Sequence, residues 1–156
     1  MTAYLPYLIA LGIGFVAGLR AMTAPAAIAW AAYLGWLPLA GTTLAFMGSV
    51  WAAGIFTLLA VFELVGDQLP STPSRKVPVQ FGTRLLMGAL CGAAIGAAAG
   101  MLLAGMACGV VGAVLGTYIG AAVRGALAKA FGRDLPAALL EDLVAIGGAF
   151  LLVHGL

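Results

Sequence analysis

Four long apolar segments constrain this chain more than any other feature of its sequence. They occupy residues 44–69, 85–104, 106–130 and 137–155. A helix needs about 20 residues to cross the roughly 30 Å hydrocarbon core of a membrane, and about 17 suffice. The sequence therefore predicts an all-α, polytopic transmembrane helical bundle that forms one integral membrane domain over residues 1–156.

Charged residues are too few to cover a water-facing surface. They make up 8% of the chain, against 64% hydrophobic residues, whereas a soluble domain carries about 25% charged residues. The lipid bilayer is therefore the expected partner of most of the surface. The net charge is only +2, and the sequence has no basic stripe of the kind that binds nucleic acid. We therefore expect no nucleic-acid partner.

Residues 4–37 are too long for one crossing, because a single helix of this length would run about 50 Å. Arg20 lies near their middle, and Thr23 can cap a new helix shortly after it. We therefore expect two short passes, 4–19 and 23–37, and about six passes in all. One tilted or kinked helix over the same residues is the alternative.

Basic residues favour the cytoplasmic side of a membrane and predict the orientation of the bundle. The loop 70–84 carries three of them, and Arg133 lies in the turn 131–136. The hairpin 85–130 returns both connections to one side, so both charged loops are expected to be cytoplasmic. Pro70, Pro73 and Pro78 are expected to keep the first connection non-helical.

Ionisable residues inside the predicted spans indicate a site. Such residues are costly in lipid, usually face the bundle interior and find partners there. Glu63 and Asp67 are four residues apart and share a helix face, whereas Glu141 and Asp142 are about 100° apart, which favours one inward side chain. The residues predicted to bind a ligand or ion at the cytoplasmic end are Arg20, Glu63, Asp67, Arg124, Glu141 and Asp142, with Arg84 as a further member.

This group has two interpretations that the sequence leaves open. It is either a site for a ligand, ion or proton, or a network of ion pairs that ties helices together. Two carboxylates that converge without an arginine between them would share a proton near neutral pH and form a proton relay. If the group holds a metal, Glu63 and Asp67 are the expected ligands.

Glycine recurs at four-residue spacing in two of the predicted spans. The first row is Gly88, Gly92, Gly96 and Gly100, and the second is Gly112, Gly116 and Gly120. Rows of small residues let helix backbones approach closely in lipid. We expect Gly-zipper packing, either within the hairpin 85–130 or across the seam of a homodimer.

The sequence contains no Walker loop and no HExxH, CxxC or GxSxG motif. We therefore expect no cofactor and favour a protein that is not an enzyme. The first functional hypothesis is transport of a small solute, ion or lipid head group, because broken helices and buried charges are typical of transporters. The alternatives are a non-catalytic subunit or assembly factor of a membrane complex, and a metal-dependent enzyme that acts on lipid phosphates.

Three stretches resemble a family of small bacterial membrane proteins without an assigned activity. They are GLRAMTAPAAIAW, ELVGDQLPSTPSRKVP and LEDLVAIGG. In that family an acidic residue, an Asp–Lys/Gln–Leu/Ile–Pro step and a loop with proline and arginine follow a transmembrane helix. The resemblance implies a multi-pass protein of the bacterial inner membrane and transfers no catalytic residue. The residues that it highlights are Arg20, Glu63, Asp67, Pro70, Pro73 and Arg75.

Overall fold

The computed structural model describes residues 3–69, 74 and 76–156. In these ranges the chain forms six α-helices, a short 3₁₀ helix and no strand. The α-helices are α1 (Leu5–Leu19), α2 (Thr23–Tyr33), α3 (Val50–Gly66), α4 (Pro78–Ala98), α5 (Leu102–Phe131) and α6 (Asp134–His154). Three of them, α4, α5 and α6, are long and apolar enough to cross a membrane. The prediction of an all-α membrane bundle with two short helices near its start is confirmed.

The short helices α1 and α2 run in opposite directions. Pro6 at the start of α1 and Trp36 just after α2 line one cavity of about 480 Å³. The other ends of the two helices meet at Arg20, whose backbone is extended. At about 1.5 Å per residue, α1 runs about 22 Å and α2 about 16 Å, which is less than the thickness of the hydrocarbon core. The pair is therefore a short hairpin and not one kinked helix.

Local chemistry explains where α3 and α4 begin. α3 begins at Val50, later than the predicted span 44–69, because the side chain of Ser49 accepts a hydrogen bond of 3.1 Å from a backbone N–H in the first turn. α4 begins at Pro78, since the fixed φ of proline suits the first turn of a helix. The expectation that Pro78 keeps the connection non-helical is therefore wrong.

Glycine residues bring α1, α4 and α5 into close contact at the centre of the bundle. A Cβ atom on Gly88 of α4 would lie 2.7 Å from the carbonyl oxygen of Gly109 on α5. One on Gly18 of α1 would lie 2.6 Å from the backbone nitrogen of Thr117 on α5. Cβ atoms do not approach other atoms so closely, so these contacts require glycine. Backbone contact of this kind replaces the side-chain packing that joins helices in water.

The two predicted glycine rows thus pack within the chain. The first row faces α5 and the second faces α1. Gly100 differs from the rest of its row, because it lies in the turn between α4 and α5 with a φ of 72°, a conformation that favours glycine. A homodimer stays a prediction, and its seam would use faces other than these rows.

α3 lies at the edge of the bundle and packs mainly on α2. Its buried residues are Ala52, Ala53 and Ala60. Large apolar side chains, Trp51 among them, cover its exposed faces and indicate contact with lipid. The C-terminal end of α3 nevertheless reaches the junction of α1 and α2, so its carboxylates meet the bundle centre there.

The substitution Gly109→Ala should destabilise the bundle, because the backbone of Gly109 lies against both α1 and α4. Overpacking of this kind costs about 1–3 kcal/mol. Gly125→Ala on the same helix is the matched control, since a Cβ there meets nothing within 4 Å. Thermal unfolding of the two purified variants in detergent compares them directly. Equal midpoints would contradict the glycine contact.

Candidate functional site

Charged side chains from the α1–α2 connection and from α3, α4, α5 and α6 converge at one end of the bundle, which we call the charged end. We call the group the charged cluster. Its members are Arg20, Glu63, Asp67, Arg84, Arg124, Glu141 and Asp142. The structure thus brings together all six residues that the sequence predicts for the site, together with Arg84. That they bind a ligand stays a prediction.

Arg20 lies at the centre of the charged cluster and is fully buried. Its Nε donates a hydrogen bond of 2.5 Å to Asp142, and its Nη atoms form ion pairs with Asp67 and Asp142. The carboxylate of Glu141 lies 3.8 Å from Nη2. One guanidinium group therefore joins the α1–α2 connection to α3 and α6. Such an arrangement balances the charge of a buried arginine.

Glu63 caps the start of α2 from the neighbouring helix. Its two carboxylate oxygens accept hydrogen bonds of 2.8 Å each from the backbone N–H groups of Ala21 and Met22. The first N–H groups of a helix have no partner within it, and the positive end of the helix dipole favours an anion there. Thr23 was expected to cap this helix, but its hydroxyl makes no such bond and the expectation is wrong.

Arg84 caps the end of α1 in the complementary way. Its Nη1 donates hydrogen bonds of 2.6 and 2.7 Å to the carbonyl oxygens of Gly18 and Leu19. Its Nη2 lies 3.9 Å from Glu63, so the two capping groups also attract each other. The break between α1 and α2 therefore has a cation at its carbonyl end and an anion at its amide end. This matches the helix dipole on both sides.

Arg124 links α5 to the N-terminal part of α6. It donates hydrogen bonds of 3.0 and 2.6 Å to the two carboxylate oxygens of Asp134, and its Nη1 lies 3.3 Å from Glu141. Its Nη2 also lies 3.4 Å from the carbonyl oxygen of Asp67. Sequence reasoning missed Asp134, which is 59% exposed at the rim of the cluster. The sequence did contain a signal for Asp134, because this residue lies in the first turn of the last helix, across a short turn from Arg124.

Glu141 and Asp142 both take part in the charged cluster, whereas their angular separation predicted that only one of them would. Asp142 pairs with Arg20 and accepts a hydrogen bond of 2.9 Å from Nε2 of Gln68. Glu141 pairs with Arg124. Arginine side chains are long enough to reach around a helix, so two adjacent carboxylates can serve one cluster.

Carboxylates outnumber arginines in the charged cluster. The side chains of Glu63, Asp67, Glu141 and Asp142 are 7–16% exposed. Within the described ranges three arginines face these four carboxylates, which leaves one negative charge in excess before Asp134 is counted. In a low-dielectric site such an excess attracts a cation or a proton.

Two narrower predictions do not match this geometry. Each of the four carboxylates lies within 4.0 Å of an arginine nitrogen, so the arginine-free pair required for a proton relay is not formed. Glu63 caps α2 while Asp67 pairs with Arg20, so the two proposed metal ligands have different partners. Among the residues described, no group of three or more His, Cys, Asp or Glu side chains could hold a metal ion.

The other basic residues of the described ranges are exposed outside the cluster. Lys76 lies over the ring of Tyr118 at 5.5 Å, and Lys129 and Arg133 are exposed where α5 ends and α6 begins. The residues Pro70, Pro73 and Arg75, which the sequence resemblance highlights, lie outside the described ranges.

Comparison with known proteins gives one match. A family model described as "Domain of unknown function (DUF4126)" matches residues 7–155, a range that contains the whole charged cluster. No curated protein and no solved structure matches the chain.

Replacing Arg20 by lysine should destabilise the protein, although the charge is kept. An ammonium group cannot reproduce the planar fork that reaches Asp67 and Asp142 together. We expect a loss of about 1–3 kcal/mol for the charged hydrogen bonds that are lost. Arg133→Lys makes the same chemical change at an exposed position and should leave the thermal midpoint unchanged. If both variants melt like the unaltered protein, the ion pairs of Arg20 are not stabilising.

Proposed function

Since the chain belongs to the DUF4126 family, whose domain has no known function, we propose a function from the charged cluster: the protein is a small membrane transporter that binds the polar part of its solute there. The observation that carries this proposal is the excess of carboxylates at the break between α1 and α2. Discontinuous helices often form solute sites in transporters, because their inner ends present backbone groups to the solute.

The chemistry of the cluster supports a cationic solute. Glu63 and Arg84 already occupy the amide and carbonyl ends of the helix break. A solute therefore has to compete with them or interact with the excess charge of the cluster. The charge left over is negative. A small cation or a protonated amine would balance it, whereas an anion would increase the imbalance.

We further propose that the charged end faces the cytoplasm in a bacterial inner membrane. Lys76, Lys129 and Arg133 are exposed at this end, and basic residues are retained on the cytoplasmic side during insertion. With this orientation the solute site lies near the cytoplasmic surface, and the chain end at His154 lies on the opposite side.

A non-catalytic subunit of a membrane complex is the second candidate. It is favoured by the presence of an arginine within 4.0 Å of each carboxylate, which is also what a purely structural network requires. This alternative predicts that the protein binds no solute and is extracted stably only together with another polypeptide.

Asp67→Asn should separate transport from a structural role. Asparagine keeps the shape and one acceptor oxygen of Asp67 but removes the excess negative charge. We expect a lower thermal midpoint, because Asp67 pairs with the buried Arg20, but the protein should stay folded since Asp142 still meets that charge. Currents carried by alkali cations or short alkylamines in proteoliposomes on a solid-supported membrane should fall about tenfold, a loss of ~1.4 kcal/mol in cation binding.

Lys129→Gln is the control, because it changes the charge by one unit at the same end outside the cluster, and its currents should match those of the unaltered protein. A stable unaltered protein that carries no current with any of these cations would rule against transport. An Asp67→Asn protein that no longer folds would favour the structural role.

A further inference from the structure

A long groove between α2, α3 and α6 leads to the charged cluster. It encloses about 430 Å³ and is lined almost entirely by apolar side chains. It runs beside α2 from Leu34 to Thr23, a length of about 16 Å at 1.5 Å per residue, which is close to the depth of one membrane leaflet. A groove of this volume and length has room for a hydrocarbon chain.

One buried polar group lines this groove without a partner. Thr23 is 7% exposed, and its hydroxyl oxygen makes no hydrogen bond within the described ranges. Two other polar groups of the lining satisfy each other, because Nε1 of Trp30 donates a hydrogen bond of 2.8 Å to Thr57. A buried hydroxyl without a partner is costly. A molecule in the groove would supply the missing partner.

The Thr23 end of the groove adjoins the charged cluster. Met22, the residue before it, donates its N–H to Glu63, and Arg20 lies within the same turn of chain. Gln68, which bonds Asp142, has a buried carbonyl oxygen that also lacks a partner in the structure described. The two oxygens without a partner, a hydroxyl and an amide carbonyl, can both accept a hydrogen bond and lie beside an excess of carboxylates, so a cationic hydrogen-bond donor complements the site.

We propose that this groove binds an amphiphile with one hydrocarbon chain and an ammonium head. The chain lies between α3 and α6, and the head lies at the Thr23 end beside the charged cluster. This inference rests on the proposed transport function and deepens it, since it names the solute class and gives it a route from the bilayer. The route passes beside α3, the helix at the edge of the bundle.

Quenching of tryptophan fluorescence tests the inference in vesicles of phosphatidylcholine. One protein keeps Trp30, which lines the groove, and carries Trp36→Phe and Trp51→Phe. The control protein keeps Trp51, which is 77% exposed and does not line the groove, and carries Trp30→Phe and Trp36→Phe. The probe is dodecylamine brominated at the end of its chain, compared with the acid and the alcohol of the same length.

Quenching of Trp30 should saturate with the amine at about tenfold lower concentration than with the acid or the alcohol, since a charged hydrogen bond contributes that much or more. Trp51 should report only the linear quenching of chains in bulk lipid. Thr23→Val should weaken the saturable binding several-fold, whereas Thr23→Ser should retain it. Thr83→Val, on the exposed face of α4, is the control for loss of a threonine hydroxyl and should have no effect.

Equal, unsaturated quenching of both tryptophans by all three probes would show that ordinary lipid fills the groove and would overturn the inference. A preference for the acid would overturn the assignment of the head group. Saturable amine binding without any current would leave the groove intact and contradict transport. Currents of short amines without saturable binding of the long-chain amine would support transport and contradict binding of an amphiphile in the groove.

Discussion

Burying the guanidinium of Arg20 in an apolar bundle constrains every helix around it. A charge without water must be met by carboxylates at hydrogen-bond distance, and here they come from α3 and α6. The end of α3 and the first turns of α6 must therefore arrive at the same point as the α1–α2 connection. Removing either carboxylate would leave part of a buried charge uncompensated, which is why such pairs are costly to break.

The break between α1 and α2 creates a second constraint, because its free backbone groups lie inside the bundle. In lipid no water can satisfy them, so side chains have to. Glu63 serves the amide end and Arg84 serves the carbonyl end. The same side chains thus form hydrogen bonds to the free backbone groups and contribute to the charge of the cluster. The ligand site that we propose would therefore draw on groups that the structure already uses.

The spans, the break at Arg20 and the membership of the cluster could be predicted from the sequence. Each depends on local spacing or on the cost of a charge in lipid, and both can be read along the chain. The partners could not be predicted. Glu63 meets Ala21 across 42 residues of sequence, and no local pattern indicates that a carboxylate of α3 replaces Thr23 as the cap of α2. The glycine rows likewise predicted close contact without saying which helix supplies the opposite face.

The central position of α1 has a consequence for how the protein is made. α1 precedes α5 and α6 along the chain, although it packs against both of them. Until they arrive, Arg20 has no Asp142 to bind, and the glycines of α1 have no opposite backbone. The contacts of the α1–α2 hairpin are therefore complete only after α6 has been added to the bundle.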